Sequence, residues 1–334
     1  MSDMRILHCI NSTYIYGGAE KIVDCLCNEA NHEKFTIFNG ETSNIVDKLL
    51  AYFRFFFFLV FNRYKYDFFH FHLFPAFYFS IIIPRDKVII HEHNTYNRRR
   101  DFKFFKYIEK VLYVRAKNVI CISDSVHDSL CEWLGGNDNF KVVPNFSRFK
   151  YKKARFKNKK DDVNVVMIAS FSKQKKQDLV IKSVAYLPSN YKFHFLGDGP
   201  TLKSCMSLCS ELDLNEQINF HGNVDNVSDY INLSDFCILL SSWEGFGMVV
   251  VEAASLNKVT LSSDVSGLSS VVNNEKLLIT EGESSIQIAN KIESISNVLK
   301  SSPSYFDDYC YSISDKYSYD KYIINLNKIY LSSH

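Results

Sequence analysis

Ser241–Ala254 reads SSWEGFGMVVVEAA, and it follows Asp235–Leu240, DFCILL, an apolar run with the character of a buried strand. The stretch offers a carboxylate, Glu244, then Gly245, Phe246 and Gly247, then Met248 and an apolar run, and a second carboxylate, Glu252. The glycines let backbone approach a ligand closely. The apolar run begins a helix whose free N–H groups point back at the loop, which is a natural anion site. With Glu244 in the loop and Glu252 about two turns into the helix, one ligand can meet both, with a phosphate at the helix start and hydroxyls at the acids. Two acids alone would read more plainly as a surface turn before an amphipathic helix; the flanking residues favour a site.

Working outward, short apolar strands alternate with helical segments. In the first half the strands fall at Arg5–Asn11, Lys34–Asn39, Asp67–His72, Lys87–His93, Asn118–Ser123 and Lys141–Pro144, with helices at Ala19–Ala30, Val46–Phe61, Phe102–Val114 and Ser125–Leu134. Ser147–Asp162, SRFKYKKARFKNKKDD, then breaks the pattern as a basic linker. The alternation restarts at Val163–Ala169 and runs through Lys192–Gly197, Ile218–Gly222, Asp235–Leu240 and Val259–Ser262, with late helices at Ile286–Leu299 and Tyr319–Tyr330. Strand–helix alternation predicts parallel sheets covered on both faces. A chain of 334 residues is long for one core, so two such domains are expected.

Charge is uneven. Residues 1–162 hold 26 Lys and Arg against 18 Asp and Glu, whereas residues 163–334 hold 13 against 19. A basic first half points to an anionic partner surface, nucleic acid or membrane. The nine cysteines show no C-x-x-C pair and no zinc spacing, so buried free thiols in a reducing cytosol are expected. The N-terminal MSDMRILHCIN reads as a strand, not a signal peptide. Leu49–Phe61, LLAYFRFFFFLVF, is interrupted by Arg54 and shorter than the about 20 apolar residues a spanning helix needs. A buried core helix is the expectation, with an exposed aromatic face dipping into a bilayer as the alternative.

Further segments join the opening stretch: YGGAEK (Tyr16–Lys21), DFFHFHLFP (Asp67–Pro75), VIIHEHN (Val88–Asn94), NVICISDSV (Asn118–Val126), VVPNF (Val142–Phe146), IASFSKQKKQD (Ile168–Asp178) and FLGDGP (Phe195–Pro200). In this order, with E-G-F-G-x4-E, they resemble the retaining GT-B glycosyltransferases of family 4 over nearly the whole chain. The resemblance implies two doubly wound Rossmann-like domains facing a central cleft. It divides the chain into an acceptor-side domain (1–147), the linker (148–162), a nucleotide-sugar-binding domain (163–316) and a closing helix that crosses back to the first domain (317–334).

The resemblance also implies residue roles. Gly17 and Gly18 leave N–H groups open to a donor diphosphate and the acceptor. His93 meets the transferred sugar, with His91 as fallback, and His72 lines the strand end. Lys175 clamps the diphosphate; Ser170 stands where the family commonly has Arg, and Lys173 and Lys176 are rival registers for the lysine. Glu244 contacts sugar hydroxyls, Glu252 holds the ribose, and Gly245, Phe246, Gly247 and Met248 line the diphosphate. Phe146, Val259 and Ser269–Ser270 depart from the family pattern. No D-x-D pair occurs, so no metal site is expected, and cationic side chain and helix dipole take that role. No G-x-G-x-x-G opens the first helix, which argues against a dehydrogenase.

The implied activity is metal-independent, retaining transfer from a nucleotide-sugar, UDP- or GDP-linked, with no further cofactor. The implied acceptor is a lipid-linked glycan of bacterial surface polysaccharide (O-antigen or capsule), with the enzyme cytoplasmic and peripheral on an anionic membrane rather than bound to nucleic acid. Arg98–Arg100, Lys103, Lys106 and Lys110 are the candidate headgroup contacts. A GT-B sugar-nucleotide epimerase and a non-catalytic GT-B partner subunit are the rivals.

Overall fold

The computed structural model describes residues 4–12, 17–30, 32–38, 40, 44–153 and 162–332. Tyr16 of the glycine loop, Asn39 and linker residues 154–161 lie outside them. The chain forms two compact units, Met1–Arg148 with Tyr319–His334, and Phe149–Ser318.

In the first unit β1 (Ile6–Ser12), α1 (Gly18–Glu29), β2 (Glu33–Phe38), α2 (Ile45–Asn62), β3 (Phe68–His72), β4 (Val88–Glu92), α3 (Lys103–Arg115), β5 (Asn118–Cys121), α4 (Asp124–Leu134) and β6 (Phe140–Val142) follow in sequence. Six parallel strands align in the order β2-β1-β3-β4-β5-β6. All residues of β3, β4 and β5 are buried, as a parallel sheet covered on both faces requires.

The second unit repeats the plan with β7 (Val163–Ile168), α5 (Gln177–Val184), β8 (Tyr191–Leu196), α6 (Leu202–Glu211), β9 (Ile218–Gly222), α7 (Val227–Leu233), β10 (Phe236–Leu239), α8 (Met248–Ser255), β11 (Thr260–Ser263), α9 (Ser266–Val272), β12 (Leu278–Ile279), α10 (Ser285–Ser301) and α11 (Asp307–Lys316). Its parallel order is β12-β11-β10-β7-β8-β9. The sequence reading omitted α7, α9, α11 and β12. The two shortest helices are rich in Ser and Asn, which favour turns on propensity alone, and only packing makes them helical. The closing helix, α12 (Tyr319–Leu331), returns to the first unit, where Tyr322 packs on Phe146 and Tyr330 on Phe68.

The phenylalanine-rich segment departs from the expected core helix. Only Phe55 and Leu59 of α2 are buried, while Leu50, Phe53, Phe57 and Phe61 are 61%, 61%, 49% and 80% exposed. Arg54 fixes which stripe turns inward, since its guanidinium donates to the carbonyls of Thr36 (3.0 Å) and Ile37 (2.6 Å) on edge strand β2. Among the described residues no helix is long and apolar enough to cross a membrane.

Candidate active site

In a doubly wound sheet, neighbouring strands whose chains depart to opposite sides leave a crevice at their carboxyl ends. In the second unit these strands are β7, which leads on to β8, and β10, which leads on to β11 on the other side. The loop after β7 carries Lys175 and the loop after β10 carries Glu244. The two loops are tied together: Ser242 N donates to the Gln174 carbonyl (2.8 Å), and Gln174 Nε2 donates to the Trp243 carbonyl (2.7 Å). Between these ties, Lys175 Nζ pairs with Glu244 Oε1, with 15% and 13% of the two side chains exposed. Ser241 Oγ donates to the same carboxylate oxygen at 3.0 Å. Lys175 is therefore the lysine seated at the acid, while Lys173 is exposed.

Gly247 caps the N-terminus of α8 in the left-handed region (φ 78°), where a side chain is disfavoured. Its position presents the helix start to the Glu244 loop. Because α8 starts at Met248, Glu252 is its fifth residue, a little over one turn in rather than two, and it is buried. Phe246 is also buried, edge-on to Tyr317, so its ring serves as scaffold. Gly267 on α9 packs directly against the backbone of this loop: a Cβ there would overlap the Glu244 carbonyl. Ser170 is exposed, and its carbonyl accepts from Gln177 Nε2 (2.9 Å). The G-D-G turn braces the β7 loop, since Phe171 N donates to the Asp198 carbonyl at 2.9 Å.

The first unit holds Gly17, Gly18 and His93. At Gly17 the chain supplies its own partner: the buried Glu20 carboxylate turns back and accepts from the backbone of Gly17 and of Glu20 itself. Burial raises the Glu20 carboxyl above its ordinary range, and those backbone bonds oppose the rise. The chain's own acid thus holds the start of α1. His93, just beyond β4, is 8% exposed, and its Nε2 lies 3.1 Å from His72 Nδ1. Burial pushes the His93 imidazole down to about 3, so at neutral pH it is an uncharged hydrogen-bonding group.

The basic residues proposed for headgroups also divide. Arg99 Nε donates to the buried Glu109 (2.6 Å), and Arg100 Nη1 donates to the Thr95 carbonyl and Ser129 Oγ, both at 2.6 Å. These two guanidiniums hold the fold. Lys106 lies 5.6 Å over the Trp133 ring. Arg98, Lys103 and Lys110 remain exposed.

The sequence reading brought Lys175 and Glu244 into one site but passed over Gln174, Ser241 and Gly267, which hold them there. Gly267, a glycine opening a helix directly after a strand, was the readable signal; Gln174 and Ser241 carry none.

Comparison with known proteins bears on the family and the fold. Residues 148–303 match the family model described as glycosyl transferases group 1, and residues 17–146 match that described as Glycosyltransferase Family 4. N-acetyl-alpha-D-glucosaminyl L-malate synthase of Bacillus anthracis is 27% identical over 164 residues, 46% of this chain and 43% of that protein. The O-antigen biosynthesis glycosyltransferase WbnH of Escherichia coli is 28% identical over 214 residues, 64% of this chain and 58% of the relative. The chain thus spans about half the length of the curated relatives it matches. Among solved structures, HepE of Anabaena in complex with UDP and glucose superposes with a TM-score of 0.83 at 18% identity, covering 99% of this chain and 100% of that one. WaaG, a glycosyltransferase involved in lipopolysaccharide biosynthesis, superposes at 0.71 and 14% identity, covering 97% and 98%.

Proposed function

The chain belongs to the GT-B glycosyltransferases of family 4, and on that premise we propose that it transfers a sugar, with retention, from a nucleotide-sugar to the hydroxyl of a lipid-linked glycan acceptor. The observation that carries this reading is the Lys175–Glu244 pair at the carboxyl ends of β7 and β10, beside the start of α8. The bond from the anomeric carbon to the diphosphate oxygen breaks, and a bond from that carbon to the acceptor oxygen forms on the same face. The acceptor proton passes to the departing phosphate oxygen.

Charge accumulates on the diphosphate as the bond breaks. Lys175 and the α8 amides are arranged to stabilise it there, which is how a site lowers a barrier rather than merely binding substrate. Glu244, already shared between Lys175 and Ser241, then accepts from sugar hydroxyls, and Glu252 from the ribose. The sequence carries no D-x-D pair to hold a metal on the diphosphate, so transfer is expected without added divalent ion. A UDP-linked donor is the first to test, because HepE is described with UDP and glucose. The relative WbnH and the exposed apolar face of α2 support a surface-polysaccharide acceptor at a membrane.

A thermal-shift screen with UDP, GDP, dTDP and their sugars, followed by turnover on lipid extracts, tests the proposal. One nucleotide class should stabilise the protein by about 2.7 kcal/mol at 100 times its Kd, and the matching sugar should appear in lipid. Stabilisation without transfer to any lipid extract would sink the acceptor assignment. Donor consumption without acceptor would favour an epimerase.

A further inference from the structure

Five histidines share one face of the first sheet. His70 and His72 alternate along β3, and His91 and His93 alternate along and just beyond β4. The register pairs His8 with His70 and His72 with His91. Residues paired across parallel strands, and residues two apart on one strand, project to the same side. The rings accordingly lie against one another, stacked with centroids 4.9 Å apart for His8–His70, 4.5 Å for His70–His72 and 4.3 Å for His91–His93, and tilted at 5.1 Å for His72–His91.

We propose that His72, His91 and His93 form a binding site for one transition-metal dication of the zinc class. The candidate ligand nitrogens all lie within 4.8 Å of one another. Zinc–imidazole bonds of about 2.0–2.1 Å place neighbouring ligand atoms of a tetrahedron roughly 3.3 Å apart. His72 Nδ1 and His93 Nε2 are 3.1 Å apart, close to that spacing. Independently, His91 is 2% exposed, and neither of its ring nitrogens has a hydrogen-bond partner among the described residues. Buried polar atoms are normally satisfied, and an ion between His72 and His93 supplies what one of them lacks.

The remaining contacts orient the ligands. His72 Nε2 lies 2.8 Å from His8 Nδ1, and His8 Nε2 lies 2.9 Å from His32 Nδ1. If each ring donates toward His32, His72 carries its proton on Nε2 and turns the Nδ1 lone pair toward the site. Such partners set the tautomer of metal-bound histidines. A second grouping, His8, His70 and His72, is less suitable. Both nitrogens of His8 are engaged there, and His70 Nδ1 lies 2.9 Å from the Tyr330 hydroxyl. Three nitrogens without a carboxylate select zinc-like ions over Mg²⁺ or Ca²⁺. His93, the most exposed ligand, marks the side of entry.

The test uses the full chain, stripped with a chelator and titrated with Zn²⁺ and with Co²⁺ as a spectroscopic probe. Wild type should bind about one ion, give tetrahedral Co²⁺ absorption and melt at a higher temperature with Zn²⁺. His91→Leu removes the two unpartnered nitrogens while keeping apolar bulk, so it should fold yet bind Zn²⁺ about 100-fold or more weakly. His8→Asn, a positioning change, should weaken binding by about 10- to 100-fold. The control His194→Gln, in the second unit, should bind as wild type does. A wild-type chain that takes up no stoichiometric ion, or a folded His91→Leu with undiminished affinity, would overturn the site. Metal uptake and sugar transfer are separate readouts, so either can fail without the other.

Discussion

Across β1, β3 and β4 the first unit gathers neutral imidazoles; at the ends of β7 and β10 the second gathers a lysine, a glutamate and two close-packed glycines. The two sheets have the same kind of parallel, doubly wound order, and each has a switch point beside its first strand. Topology thus decides where side chains can converge, and the residues at those places decide what they can hold. In the first unit burial suppresses charge. In the second, an ion pair keeps it within reach of solvent.

Acidification should separate the units by the largest margin. His8, His70, His72 and His91 are held well below the ordinary 6.5 by burial, His32 is lowered to about 4 and His93 to about 3. The groups facing these rings are one another and Tyr330. A histidine with a lowered folded value binds fewer protons in the fold than in the unfolded chain. Its contribution is intact above the unfolded value and is lost as pH falls below about 6.5, at up to about 1.4 kcal/mol per pH unit for each ring. The second unit has only His194 and His221 lowered in this way, both partly buried. Peptide-resolved hydrogen exchange between about pH 7.5 and about pH 5, corrected for intrinsic rates, should show β1, β3 and β4 loosening first. Earlier loosening of β7 and β10 would break the comparison.

Gly267→Ala probes the second site by packing alone. The added methyl meets the backbone of Glu244 and Gly245 rather than a movable side chain. A loss of about 1–3 kcal/mol is expected, as for other overpacked positions, with a fall in turnover because the Glu244 loop shifts. Unchanged melting and kinetics would mean that α9 does not brace this loop.

Lys175→Ala should cost about 2 kcal/mol of transition-state stabilisation, roughly 30-fold in kcat/KM. Lys173→Ala should be nearly silent; the reverse result would move the cationic role to Lys173. On the proposed roles, Glu244 at the reacting sugar and Glu252 at the ribose, Glu244→Gln should chiefly lower kcat and Glu252→Gln chiefly raise KM. Identical kinetic effects would erase that distinction.

These positions also show what a linear reading can reach. Strand–helix alternation located both sheets because period and apolar runs are local properties. Glu244, Gly247 and Lys175 were legible because acids, glycines and a lysine follow strands directly. The histidine face was not legible strand by strand. His72 reads as lining a strand end and His93 as a sugar contact with His91 as fallback, each on its own strand, and only the His72–His91 register makes them one surface. The role of Glu20 was hidden for the same reason, since nothing in YGGAEK shows that its acid folds back on Gly17. The inward arginines Arg99 and Arg100 needed the partners Glu109, Thr95 and Ser129 to be placed first.

The smallest predicted effect concerns the outer face of the first unit. Helices α2 and α3 both pack on the short 3-10 helix Ala76–Ile82: Tyr52 and Phe55 meet Phe79, and Arg115 donates to the Ser80 carbonyl. Both helices expose aromatic side chains, Phe53 and Phe57 on α2 and Phe104 and Tyr107 on α3, and α3 adds the exposed lysines Lys103 and Lys110. Such a surface fits an anionic bilayer through two separable terms. Each well-placed lysine adds about 1 kcal/mol, roughly fivefold in partitioning, and salt screens this over a Debye length of about 8 Å. The aromatic term resists salt. In vesicle flotation Lys103→Ala and Lys110→Ala should remove the salt-sensitive part, and Phe53→Ser with Phe57→Ser the rest. The second unit, with more acidic than basic residues and no comparable apolar helix face among the described residues, supplies the contrast: neutralising its exposed Lys203 should change nothing. If the chain stays out of anionic vesicles at low salt, the apolar face of α2 serves some other contact. The acceptor would then be sought among soluble glycans.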